Sequence, residues 1–122
     1  MTSLLLVAAG GALGALCRYG AGLLSTVLFG RGFPVGTLMV NVAGCFIIGA
    51  VYAAMAEQAH GMLATFLIQG FCGALTTFST FSLDCFRLLH EGRTGSAAAN
   101  AALNMVLGLG AAALGLSLFA GA

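Results

Sequence analysis

The sequence predicts an all-α membrane protein, a single domain of four transmembrane helices over residues 1–122, and three observations predict it. Of the 122 residues 61% are hydrophobic and 6% charged, whereas soluble domains carry about a quarter charged residues. The apolar residues fall into four runs, each long enough for the roughly 20 residues that cross the hydrocarbon. The segments between them are short and polar. A soluble fold of this size covers its surface with polar groups; here they are missing, so most of the surface must face lipid.

The first run covers residues 4–29. It lacks a basic leader and continues past Arg18 to Phe29, so it reads as a retained helix rather than a cleaved signal peptide. Gly30, Arg31 and Gly32 make a turn, and Pro34 suits the first turn of the next helix. The second run covers residues 34–56, followed by a polar turn with Glu57, Gln58, His60 and Gly61. The third covers residues 62–89, and His90, Glu91, Gly92, Arg93, Thr94 and Gly95 separate it from the fourth, residues 96–120. Connections this short make neighbouring helices antiparallel.

Four crossings place both termini on one side and the turns carrying Arg31 and Arg93 on the other, with Arg87 close by. The positive-inside rule puts the Arg-bearing turns in the cytoplasm, on a tally of two or three residues. A chain so poor in cations can insert both ways. The 19 glycines include the pair Gly10 and Gly14, with Gly36, Gly44, Gly49, Gly108 and Gly115 also in apolar context. In lipid, small residues let helices approach closely and associate. The same residues favour self-association, because four short helices enclose little by themselves.

The third run holds the main anomaly. Thr76, Thr77, Phe78, Ser79, Thr80, Phe81 and Ser82 put five hydroxyls in seven residues. One Ser or Thr can bond back to its own helix, but five cover more than one face. The segment therefore reads as facing protein or water, either as a tight hydroxyl-bonded crossing or as part of a pathway. Gly70 and Gly73 upstream favour a break in this helix near mid-span, which membrane depth tolerates where protein or a cavity satisfies the backbone. A break frees carbonyls, and these can bind a cation. Phe78 and Phe81 share a face; they are either packing residues or ring edges, whose positive rim suits an anion.

Asn41 lies in the second run with Thr37 one turn earlier. Its amide serves either an interhelical hydrogen bond, worth about 1 kcal/mol, or donation to a passing anion. Asn100 and Asn104, four apart, repeat the device in the fourth run. Arg18 lies well inside the first run. Intramembrane charges are expensive and functional by default, although Arg can also snorkel to the interface. In either position it raises the local concentration of anions. Asp84 and Arg87, three apart, read as an intrahelical ion pair.

Several classes are excluded. There is no Lys and no basic footprint for nucleic acid. Cys17, Cys45, Cys72 and Cys85 show no metal or disulfide spacing and read as small packing residues. No nucleophile–base set can be assembled from two histidines at membrane edges, so the chain is not expected to be an enzyme.

Three motifs in order resemble the Fluc (CrcB) family of fluoride channels. Gly10-Gly11-Ala12-Leu13-Gly14-Ala15-Leu16-Cys17-Arg18-Tyr19 is similar to its first-helix motif, Gly36-Thr37 through Asn41 and Gly44 to its second, and Gly70 through Ser82 to its third-helix signature. The fourth helix departs, with Asn100 and Asn104 where the family often has Tyr and Ser. The resemblance implies an antiparallel, dual-topology homodimer in the bacterial inner membrane. It implies two pores that passively export fluoride and relieve its toxicity. It further implies that the Gly73 and Thr76 carbonyls hold a central structural Na⁺. Phe78 and Phe81 would line the path, Asn41 would donate to the ion, and Ser79 and Thr80 would extend the polar track. Asn104 would be this chain's fourth-helix contribution, and Arg18 would stand near the vestibule.

Two other readings compete. A small multidrug-type exporter also has four short helices, but it needs a carboxylate in the first helix, where this chain has Arg18. A non-transporting assembly subunit needs only the glycine-rich helices and leaves the hydroxyl–Phe cluster and three asparagines without purpose.

Overall fold

The computed structural model describes residues 2–30, 32–55 and 61–120. Arg31 and the expected turn residues Glu57, Gln58 and His60, with Ala56 at the expected end of the second helix, lie outside the described residues.

Among the described residues, four helical crossings are long and apolar enough to span a membrane. The first is α1 (Thr2–Phe29) and the second α2 (Val35–Ala54). The third crossing, Met62–His90, is in two parts. Its first part, α3, is an α-helical turn Met62–Ala64, a π-helical stretch Thr65–Cys72 and a final turn Gly73–Leu75; its second, α4, is Phe78–His90. The fourth crossing is α5 (Thr94–Phe119).

The burial pattern is that of a chain dissolved in lipid. In α1 the buried residues are Gly10, Gly14 and Ser25, while Leu5 and Leu16 on the same helix are 66% and 67% exposed. Large side chains point outward because hydrocarbon solvates them as well as a core does. Helices then gain by bringing backbones together through small residues. A Cβ on Gly10 would stand 2.5 Å from the Phe66 carbonyl oxygen of α3. Across the molecule, α2 and α5 meet the same way, Gly49 facing the Ala112 backbone and Gly115 facing the Phe46 carbonyl.

The turns after α1 and α4 lie at one end, as the antiparallel order requires. Gly30 and Gly92 adopt φ of +75° and +78°, a conformation that glycine takes without a Cβ penalty. At Gly92 the chain closes a Schellman motif, the Arg93 N–H donating to the Leu88 carbonyl at 2.8 Å and the Gly92 N–H to that of Leu89 at 3.0 Å. The Arg93 guanidinium then donates to the Gly32 carbonyl at 2.8 Å, joining the two turns. One expectation is corrected here. Arg87 does not pair with Asp84; it reaches Glu91 one turn on, at 3.3 Å. The i,i+4 partner lies on the solvent side, where the ends of both long side chains stay hydrated. Asp84 Oδ2 is buried with no hydrogen-bond partner among the described residues.

Candidate functional site

The site is built around the interruption between α3 and α4. Thr76 and Thr77 are extended, with ψ of 154° at Thr76 and φ, ψ of −153° and 120° at Thr77. Thr77 caps α4, its hydroxyl oxygen accepting from the Thr80 N–H at 3.2 Å, as a threonine N-cap does. The Thr77 N–H, which a continuous helix would aim at the Gly73 carbonyl, donates instead to Asn41 Oδ1 at 3.0 Å. The break thus redirects the donors that regular helix would have given to the Gly73 and Thr76 carbonyls. Gly73 is exposed and Thr76 half-buried, while the Thr76 hydroxyl bonds back to the Cys72 carbonyl at 2.8 Å. As a donor set, two neutral backbone oxygens released at a helix break suit a small hard cation such as Na⁺.

From Asn41 a series of amides runs toward α5. Asn41 Nδ2 donates to Asn104 Oδ1 at 3.0 Å. Asn104 Nδ2 donates to the Asn100 carbonyl at 2.8 Å and to Asn100 Oδ1 at 3.0 Å. Asn100 Nδ2 donates to Cys85 Sγ at 3.2 Å. Asn100 is fully buried. These are the only three asparagines in the chain, and the fold brings all of them together.

Among the described residues, two cavities meet at the break and a third lies toward the turns. One of about 410 Å³ is lined by Asn41, Cys45, Thr76, Phe78, Phe81 and Asn104, among others. Here Phe78 and Phe81 stand with ring centroids 5.9 Å apart, tilted by 40°, and Phe78 is 79% exposed. A second, of about 450 Å³, lies on the other side of Thr77, which lines both, and is bounded by Arg18, Tyr19, Thr37 and Thr80. Arg18 Nε is buried there without a hydrogen-bond partner among the described residues. The third, about 690 Å³, opens at the arginine-bearing turns past Asp84, Arg87, Glu91 and Arg93. It shares Gly22, Thr26, Gly36 and Thr37 with the second.

The structure therefore gathers Asn41, Phe78, Phe81 and Asn104 on one side of the break, and Arg18 and Thr80 on the other. Ser79 is set apart: it is exposed, and its hydroxyl lies 3.2 Å from that of Thr77. Thr77, already marked by the hydroxyl cluster, lines both cavities at the break. Two residues stand in the site beyond those the sequence singled out. Cys45 walls the Phe cavity, and Cys85 ends the amide series; no spacing in the sequence announces either.

The family profile described as CrcB-like protein, Camphor Resistance (CrcB), matches residues 5–116. The chain is similar to the fluoride-specific ion channel FluC of Shewanella amazonensis, 49% identical over 120 residues, which is 97% of this chain and 96% of that protein. It is 44% identical over 116 residues to the FluC of Salinibacter ruber, covering 94% of this chain and 87% of that one. It is also 44% identical over 117 residues to the FluC of Cereibacter sphaeroides, covering 96% and 94%. Motifs, four membrane-length helices and near-complete alignment agree, and the chain is an integral, multi-pass membrane protein that belongs to the CrcB-like family of ion channels, which are not enzymes.

Proposed function

We propose that this chain is a fluoride-selective channel that lets fluoride leave the cell passively across the bacterial plasma membrane. The observation that carries the reading is Asn41. The break N–H of Thr77 holds its oxygen, which leaves the NH₂ group as the donor that Asn41 brings to the cavity wall it shares with Phe78 and Phe81, one of its N–H groups being given to Asn104. Fluoride is small and strongly hydrated, so its water must be replaced by donors. Amide N–H groups, hydroxyls and positive ring edges can do this. Arg18 beside the second cavity adds a positive potential that concentrates anions in a cleft. The one carboxylate in a span, Asp84, lines the wide cavity at the turns and neither of the other two.

The working unit in this reading is an antiparallel, dual-topology homodimer with two pores. Unpaired backbone carbonyls facing hydrocarbon cost several kcal/mol each, and Gly73 is exposed at the break, as is Phe78. A second copy related by a two-fold axis covers the same patch on both subunits. That axis presents the Gly73 and Thr76 carbonyls twice, to one Na⁺, which supplies a fixed positive charge at the interface. Density between the paired carbonyls in an experimental structure of the dimer grown in sodium is the expected result; an axis without it counts against the cation.

Purified protein in liposomes should release trapped fluoride rapidly on uncoupling and release little chloride. Equal chloride efflux, or efflux of neither ion, removes the channel reading.

A further inference from the structure

The two amides in the Phe cavity differ in what they can offer an anion. Each side-chain amide has two N–H donors and one oxygen. The oxygen and nitrogen of an amide are told apart by their partners, and here one partner is unambiguous. The Thr77 N–H can only donate, so Asn41 must present Oδ1 to it, at 3.0 Å. Asn41 Nδ2 then faces Asn104, which must present its own oxygen, also at 3.0 Å. Asn104 Nδ2 in turn faces two oxygens of Asn100, at 2.8 Å and 3.0 Å.

Counting hydrogens gives the contrast. Asn104 has both N–H groups committed to Asn100. Asn41 has one committed to Asn104 and, among the described residues, one left over. Turning Asn104 over to face an anion would set its oxygen against both Asn100 oxygens and its NH₂ against that of Asn41. Burial makes such unpaired contacts costly. Asn100 cannot readily yield, since it is fully buried and tied to Cys85 Sγ.

We propose that Asn104 is a positioning residue: anchored on Asn100, it holds the Asn41 amide so that one N–H of Asn41 stays turned into the cavity, and it is not itself a ligand of the ion. The proposal rests on the fluoride reading and assigns the fourth-helix asparagines a role within it. They set the direction of the free Asn41 donor beside the helix break.

The test uses the unmodified dimer, labelled with ¹⁵N at asparagine side chains. Three amide pairs are expected, one for each asparagine. On titration with sodium fluoride, the Asn41 pair should move while the Asn104 and Asn100 pairs stay, with sodium chloride as control. Asn104 moving as far as Asn41 makes it a ligand and overturns the proposal. In flux measurements Asn104→Leu should slow fluoride efflux about tenfold, the scale of one misplaced hydrogen bond. It should cause no further loss when Asn41→Ala is already present, because the two act as a unit. Additive losses also overturn the proposal. The channel reading fails differently: the unmodified protein would pass no fluoride and none of the three pairs would respond, in which case both ideas fall.

Discussion

Phe81→Ile should reduce fluoride efflux by about a hundredfold or more while the purified protein stays folded and monodisperse. The substitution keeps an apolar side chain of useful bulk and removes the ring edge. Phe81 lines the cavity with Asn41, Thr77 and Phe78, its ring 5.9 Å from that of Phe78, so on the proposed reading an aliphatic replacement leaves fluoride with one partner fewer. A desolvated anion left about 3 kcal/mol short of compensation passes about a hundred times more slowly. Size-exclusion chromatography and liposome efflux are measured on the same preparation. Normal efflux from Phe81→Ile would mean that the ring only packs.

The second large effect is on folding. Gly14→Ala should destabilise the protein by about 3 kcal/mol, the upper end for overpacking a well-packed contact. The added Cβ would collide with the Phe71 carbonyl oxygen and stand 3.0 Å from the Leu75 nitrogen. Both contacts are backbone, in the segment that leads into the break, so neither can swing aside. The cheapest response is for α1 to withdraw from α3, which loosens Thr76 and Thr77 as well. Gly20→Ala on the same helix is the control, since a Cβ there meets nothing within 4 Å, and it should be neutral to within about 0.5 kcal/mol. Unfolding in detergent micelles, followed by loss of the monodisperse peak on heating, compares the two. Equal stability would remove the claim that backbone contact holds α1 in place.

Much of the architecture was legible because membranes simplify the code. With lipid as solvent, the length of an apolar run reports a crossing. The runs read as residues 4–29 and 96–120 correspond to Thr2–Phe29 and Thr94–Phe119. The break was legible too, since hydroxyls and glycine crowd one stretch. The charged end was harder. Asp84 and Arg87 have the spacing of a pair, but Arg87 lies within one helical turn of two carboxylates, Asp84 and Glu91, and it pairs with the one at the helix end. The amide series shows the same limit. Asn100 and Asn104 are visibly one turn apart, yet their partners on α2 and α4 come from 63 and 15 residues away.

The sequence by itself determined the solvent, the four crossings, the place of the break and the family, because each is written in local composition or in an ordered motif. Only the tertiary structure decided which donors are free. A hydrogen bond consumes a donor, and whether Asn41 or Asn104 has one left depends on atoms supplied by Thr77 and Asn100, on other turns and other helices. Directional bonds between distant segments carry no local signature, and at this site they separate an amide with both N–H groups engaged from one with an N–H to spare, the distinction on which the proposed roles rest.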